Sequence, residues 1–346
     1  MKNNITNNDT RQKLAFLFMA VLVVSLFFLE KVKALPTIGL LGFLLTAFLR
    51  KDLFTQIKIN TQNKGYLALI IVFFVYLLHF FFTEEGISTD YWKARFLVKI
   101  PFLLLPLALL ATPQFTRKQY FGLYYLFFVV TLITAISSLI NYALHYDEIN
   151  DLISRSKSLP VVISHVRYSL FVCFSVFITW RLHAEKFYLF SKYEVWLYRL
   201  GGLFLVAFLH IASVRSGLIA FYAITALLVV YQVILKEKRY KLGFGILSLV
   251  VIVPWLAFTT LTSVQKKIEN MKEDLSKIDI EERANRYSLT ARWYSYKVGG
   301  ELFLENVIPA FYNNDKDGIL ARAKMTENGK LTECFSYLQD YVDGKE

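Results

Sequence analysis

Seven cationic or titratable side chains stand in or beside apolar stretches of this 346-residue chain: His79, Arg95, Lys99, His165, Arg167, His210 and Arg215. Such groups are costly in hydrocarbon and face a cavity, a partner or a polar ligand. Two local groupings concentrate the chemistry. His165-Val166-Arg167-Tyr168-Ser169 puts four polar residues into five positions at the start of an apolar run. Ser213-Val214-Arg215-Ser216-Gly217 makes a tight turn between two apolar runs. A guanidinium grips phosphate oxygens through its planar fork, and an imidazole can take the proton of a hydroxyl. Together they suit an anionic, membrane-borne ligand such as a lipid phosphate or diphosphate. Plainer explanations stand beside this one. Snorkelling to head groups accounts for Arg95 and Lys99 equally well. A hydrogen-bonded structural role fits His79 better than ligand binding. A helix-ending charge is the alternative for Arg215. Snorkelling explains Arg167 but not the group around it, and His210 is drawn to the site by lying one turn from Arg215.

The elements that must position these residues follow from composition. Hydrophobic residues make up 55% of the chain, mean hydropathy is +0.43, and a soluble domain averages about 45–50% apolar. Apolar runs of roughly 16–22 residues recur, close to the roughly 20 residues of a membrane-crossing helix. The expected spans are 14–29, 34–49, 65–83, 96–111, 120–143, 161–180, 196–214, 217–235 and 242–262. The sequence thus predicts an all-α polytopic membrane protein of about nine transmembrane helices over residues 1–262. The first run resembles a signal peptide, but no small-x-small site follows it and Glu30-Lys31 comes next, so it reads as a retained span.

Lys and Arg in the short loops set the orientation. The loops 1–13, 50–64, 112–119, 181–195 and 236–241 hold 16 of them; 30–33, 84–95, 144–160 and Arg215 hold 7. The first set is expected in the cytoplasm, with the N-terminus. An odd number of spans then puts residues 263–346 on the periplasmic side. Within that segment Val264, Ile268, Met271, Leu275 and Ile278 line one face of an amphipathic helix over 264–278. A second helix is expected over about 289–305, with Ser288 as N-cap, and then an irregular tail rich in Asn, Asp, Lys and Gly. In this topology all seven polar residues fall in the outer third of the membrane. The formal charge of +12 is distributed by topology, which argues against a nucleic-acid partner. The two cysteines, Cys173 and Cys334, have no metal-ligand spacing.

Ser213 to Ala220 (SVRSGLIA) resembles the S-x-R-S/G-G-x-x-A turn of the O-antigen ligase and O-antigen polymerase family. Arg95 to Leu107 (RFLVKIPFLLLPL) is similar to a basic-then-proline span common in that family. Ser288 to Asn306 (SLTARWYSYKVGGELFLEN) resembles the start of its large periplasmic region. The likeness runs over roughly residues 14–310. It implies an inner-membrane glycosyltransferase of lipopolysaccharide biosynthesis that moves a glycan from undecaprenyl diphosphate onto lipid A–core, or onto another lipid-linked chain, without metal or nucleotide. By motif match it makes Arg215 and Arg292 diphosphate contacts; Arg167, Lys99 and His210 join them by depth alone. The family's general base is a histidine in the large periplasmic loop. Here no histidine follows His210, no Gly-rich turn follows Asn306, and no spanning run follows Leu261. The expectation is a chain that lacks the family's C-terminal part, with His165 the candidate base.

Two rival functions stand against this one. The first is a non-catalytic remnant of the family that binds a lipid-linked glycan or nothing. The second is a transporter for a lipid-linked anion, which would require polar residues through the membrane centre and two related halves; the sequence offers neither.

Overall fold

The computed structural model describes residues 2–50, 52–62, 64–81, 96–154 and 158–260, and the single residues 265, 272 and 296. Apart from those single residues, the expected helices over 264–278 and 289–305 lie outside the described residues, as do Arg95, Arg292 and the side chain of His79. The chain divides into two units, Met1–Val253 and Pro254–Glu346. The first unit holds every described helix except the end of the last one.

Among the described residues all regular structure is helical. The helices are α1 (Lys2–Ser25), α2 (Ala34–Phe48), α3 (Leu53–Asn60), α4 (Lys64–Phe81), α5 (Pro101–Ala111), α6 (Arg117–Leu144), α7 (Tyr146–Ser154), α8 (His165–Ala184), α9 (Glu194–Ala212), α10 (Arg215–Leu228) and α11 (Tyr240–Thr260). A π-helical segment, Val229–Lys236, continues α10. Each of the nine expected spans falls largely on a helix. Of these, α6, α9 and α10 with its π-helical continuation are long and apolar enough to cross a membrane. A fourth crossing is available if α2 and α3, bent by 107° at Leu49–Asp52, count as one broken span. The other apolar helices are shorter or carry polar ends. The first half of α1 is polar, and α8 has Arg167 and Arg181 near its two ends.

Local sequence explains the helix ends. Thr116 caps α6 in a reciprocal box with Gln119: the Thr116 hydroxyl accepts from the Gln119 N–H, and the Thr116 N–H donates to Gln119 Oε1 (3.0 Å). Proline opens α5 at its first position, where its missing N–H costs nothing. α8 closes in a Schellman arrangement, with Lys186 in the left-handed region (φ 51°) and the Phe187 N–H donating to Leu182 O (3.0 Å). The buried Glu194 carboxylate then gathers the next loop, accepting from the N–H groups of Leu189 (3.0 Å), Phe190 (2.6 Å) and Ser191 (3.0 Å).

Two apolar cores hold the unit together. One lies among α6, α8 and α9, with Phe128, Val172, Leu182, Tyr198, Leu205 and Leu209 fully covered. Phe27, just after α1, joins it through Phe127 and Phe171 at 5.1 and 5.2 Å between ring centroids. The other joins α1, α2 and α5 around Ala15, Phe43, Ala47, Ala108 and Ala111. Small residues set the close approaches: a Cβ on Gly39 would meet Leu22, and one on Gly201 would meet Phe128.

Polar contacts sort the connecting segments into two ends. At one, Glu30 Oε1 accepts from the Ser164 N–H (3.1 Å), and Ser138 Oγ donates to Pro160 O (2.5 Å). At the other, Arg117 pairs with Glu185, and Asn60 Nδ2 donates to the carbonyls of Leu110 (2.9 Å) and Thr112 (2.8 Å). The first end thus gathers the segments around Glu30 and Pro160, and the second those around Asn60, Thr112, Arg117 and Glu185.

Candidate functional site

The site grows from two helix starts. Helix α9 runs back along α8, with Gly202 at Thr179 and Phe208 at Tyr168, while α10 meets α8 at Ser169 through Gly217 and at Phe177 through Phe221, so α8 and α10 run parallel and begin at one end. Near their starts they meet at a small residue. A Cβ on Gly217 would lie 2.5 Å from Ser169 Cβ and 2.9 Å from Ser169 O, so only glycine permits this approach. Ser169 Oγ and Ser216 Oγ stand 3.4 Å apart across the junction. Ser169 Oγ also donates to Val166 O (2.8 Å).

The α9–α10 turn is two residues long. Ser213 takes the left-handed conformation (φ 49°, ψ 36°) without being glycine, and its buried hydroxyl donates back to His210 O (2.7 Å). Val214 is buried and extended, so Arg215 emerges as the exposed first residue of α10. Neither Val214 nor Ser164, the N-cap residues of α10 and α8, supplies a side-chain cap. The α10 N-terminus, with no side-chain cap and with Arg215 as its first residue, makes a region favourable to an anion, whereas the α8 N-terminus already holds the Glu30 carboxylate on the Ser164 N–H (3.1 Å).

The candidate residues divide at this junction. His165 is exposed and four residues before Ser169, hence on the α8 face that meets α10. Arg215 starts the other helix. Arg167 is exposed at the same end but two residues from Ser169, about 200° around the helix from the junction. Lys99 belongs to another part of the unit, with its Nζ 4.1 Å from the ring centroid of Tyr76 on α4. His210 has both ring nitrogens engaged. Nδ1 meets Val206 O at 2.7 Å, and because that carbonyl can only accept, Nδ1 carries the proton. Nε2 then receives the Tyr222 hydroxyl at 2.5 Å. His210 thus ties α9 to α10 and would reach a ligand only by releasing Tyr222.

Two participants were not expected from sequence. Tyr222 pairs with His210 across a helix boundary, which no local spacing announces. Glu30 brings a carboxylate to the N-terminus of α8, where the dipole favours it; an acidic residue closing an apolar run was its only sequence signal. Among the described residues no cluster of His, Cys, Asp and Glu could hold a metal ion.

Fold and site together define a chain that is all-helical among the described residues, with helices long and apolar enough to cross a membrane and a cationic junction of two helix starts. Comparison with family models, with curated proteins and with solved structures finds no match.

Proposed function

We propose that this protein transfers a glycan from a polyprenyl-diphosphate donor to a glycolipid acceptor at the outer face of a bacterial inner membrane. The observation that carries the reading is the α8–α10 junction, where His165 and Arg215 enter from adjoining parallel helix starts locked by Gly217 on Ser169. In this reading the nine apolar segments each cross once, the N-terminus lies in the cytoplasm, and the junction opens in the outer leaflet. The likeness of residues 213–220 to the O-antigen ligase turn supports the choice of donor.

The transfer breaks the bond between the sugar anomeric carbon and the diphosphate oxygen and forms one to an acceptor hydroxyl oxygen. Arg215, with Arg167 at the rim, neutralises the charge that develops on the departing diphosphate; the family likeness adds Arg292 to this role. His165 takes the proton of the acceptor hydroxyl. Polyprenyl diphosphate leaves as an anion that the uncapped α10 N-terminus stabilises.

The test is glycan laddering on a gel from cells in which this chain is the sole copy. Arg215→Ala abolishes the ladder at normal protein level; Arg215→Lys keeps the charge, loses the fork and gives a weak ladder. A full ladder from Arg215→Ala removes the site. A shift in chain length without loss of attachment assigns polymerisation rather than ligation.

A further inference from the structure

A second feature lies on the α8–α9 surface, toward the end away from Arg215, and owes nothing to the glycan-transfer reading. Gly202 brings α9 so near α8 that a Cβ there would meet Thr179 Oγ1 at 2.8 Å. Beside this contact the two helices leave an open cleft of about 240 Å³. Its walls are Val176, Trp180, Leu203 and Val206, and one end carries His183 and Arg199. That is the space of roughly eight waters.

The polar end is unsatisfied. His183 Nδ1 is buried with no hydrogen-bond partner among the described residues, and such an atom calls for an explanation. Arg199 is exposed, with its guanidinium 5.5 Å from the Trp196 ring centroid. Among the described residues it has no carboxylate within ion-pair reach, whereas the neighbouring Arg181 and Arg117 share Glu185. Trp180 and Trp196 present exposed rings here, which is the side-chain type of a membrane–water interface.

We propose that this cleft binds an anionic glycerophospholipid. The phosphate accepts from the Arg199 fork, and it gains a second donor in His183 Nδ1–H when the imidazole turns toward the cleft. One acyl chain lies between Val176, Leu203 and Val206. Free phosphate would leave the apolar walls empty, and a zwitterionic head group would bring its own cation beside Arg199. The charge and the groove together therefore select an anionic lipid.

Native mass spectrometry of the full chain in detergent, titrated with palmitoyl-oleoyl phosphatidylglycerol and with the matching phosphatidylcholine, tests this. Phosphatidylglycerol is retained over phosphatidylcholine. Arg199→Gln lowers its occupancy about tenfold, the loss of one charge-assisted hydrogen-bonded contact. Val206→Trp, which fills the groove, also lowers it, and Arg181→Gln leaves it unchanged. Equal retention of the two lipids, wild-type occupancy in Arg199→Gln, or displacement of the lipid by millimolar inorganic phosphate overturns the proposal. Arg199 is exposed, so its variant decides even if Val206→Trp fails to fold.

Discussion

Single side chains in this protein act mainly by satisfying backbone groups where helices end. Glu194 is the strongest case: a buried carboxylate with three backbone N–H donors, and the Tyr198 hydroxyl as a fourth at 3.2 Å. Glu194→Ala leaves the three backbone N–H groups without this acceptor, while the Tyr198 hydroxyl keeps its bond to Phe187 O (2.7 Å). We expect it to destabilise the detergent-solubilised protein by at least about 2 kcal/mol, read as a fall in melting temperature. Tyr222→Phe removes one hydrogen bond from His210 and should cost about 1 kcal/mol; a loss of glycan laddering at unchanged stability would instead give His210 a direct role. Asp52 offers a pH-dependent case. Burial alone would raise its pKa, but hydrogen bonds from Arg50 and Gln56 and the Arg50 charge outweigh that and hold it below the ordinary value of 3.8. A lowered folded-state value means that the ionised carboxylate stabilises the fold. This contribution is complete above about pH 5 and fades as the pH falls through 3.8 and below. Stability measured from about pH 7 to about pH 3 should therefore converge for wild type and Asp52→Asn at the acid end, with wild type the more stable above it.

At the scale of elements, the candidate site is a matter of how closely α8 and α10 approach. Gly217 sets that distance. Gly217→Ala should cost about 1–3 kcal/mol, because the methyl group meets both the side chain and the backbone carbonyl of Ser169. Combining it with Ser169→Gly should restore part of the loss, since one of the two clashes disappears; additive losses in the double variant would show that the helices do not meet there. The apolar face of α10 is little covered, with only 6% of its most apolar window buried. It is an edge helix, held by its parallel neighbour α8 and by the His210–Tyr222 bond. Much of this could be read from sequence. The capping box at Thr116, the proline opening α5 and the apolar run lengths are local signals, and the helices lie where those signals put them. The bend between α2 and α3 was not legible, because Arg50, Asp52 and Gln56 read simply as loop polarity until their mutual bonds are seen.

For the molecule as a whole, the two-ended arrangement is the property most open to test. The Glu30–Ser164 bond and the Arg117–Glu185 pair put their loops at opposite ends. Single cysteines at the exposed positions Pro160 and Lys192, in a background without Cys173 and Cys334, should respond oppositely to a membrane-impermeant maleimide on intact cells. Pro160→Cys is expected to label directly and Lys192→Cys only after permeabilisation. Labelling of both from one side would remove the topology on which the outer-leaflet site depends. The opposite pattern would put the junction in the cytoplasm and end the glycan-transfer reading, while leaving the lipid cleft untouched.

The order of residues alone determined that the chain is helical, where its apolar segments run and which loops carry the positive charge. These are properties of contiguous stretches, set by hydropathy, run length and capping chemistry. It also nominated His165 and Arg215, by their depth in the expected topology and, for Arg215, by the turn motif at 213–220. The tertiary structure alone decided which nominees meet. The helices that carry residues 165 and 215 begin side by side only because α8 and α10 run parallel and Gly217 has no side chain to hold them apart at Ser169. Lys99 was grouped with them by depth, and depth says nothing about position around a bundle; its place over Tyr76 follows from which helices pack together. The pairing of His210 with Tyr222 and the unpartnered His183 Nδ1 at the cleft likewise follow from the direction in which a side chain points, which a linear pattern does not carry.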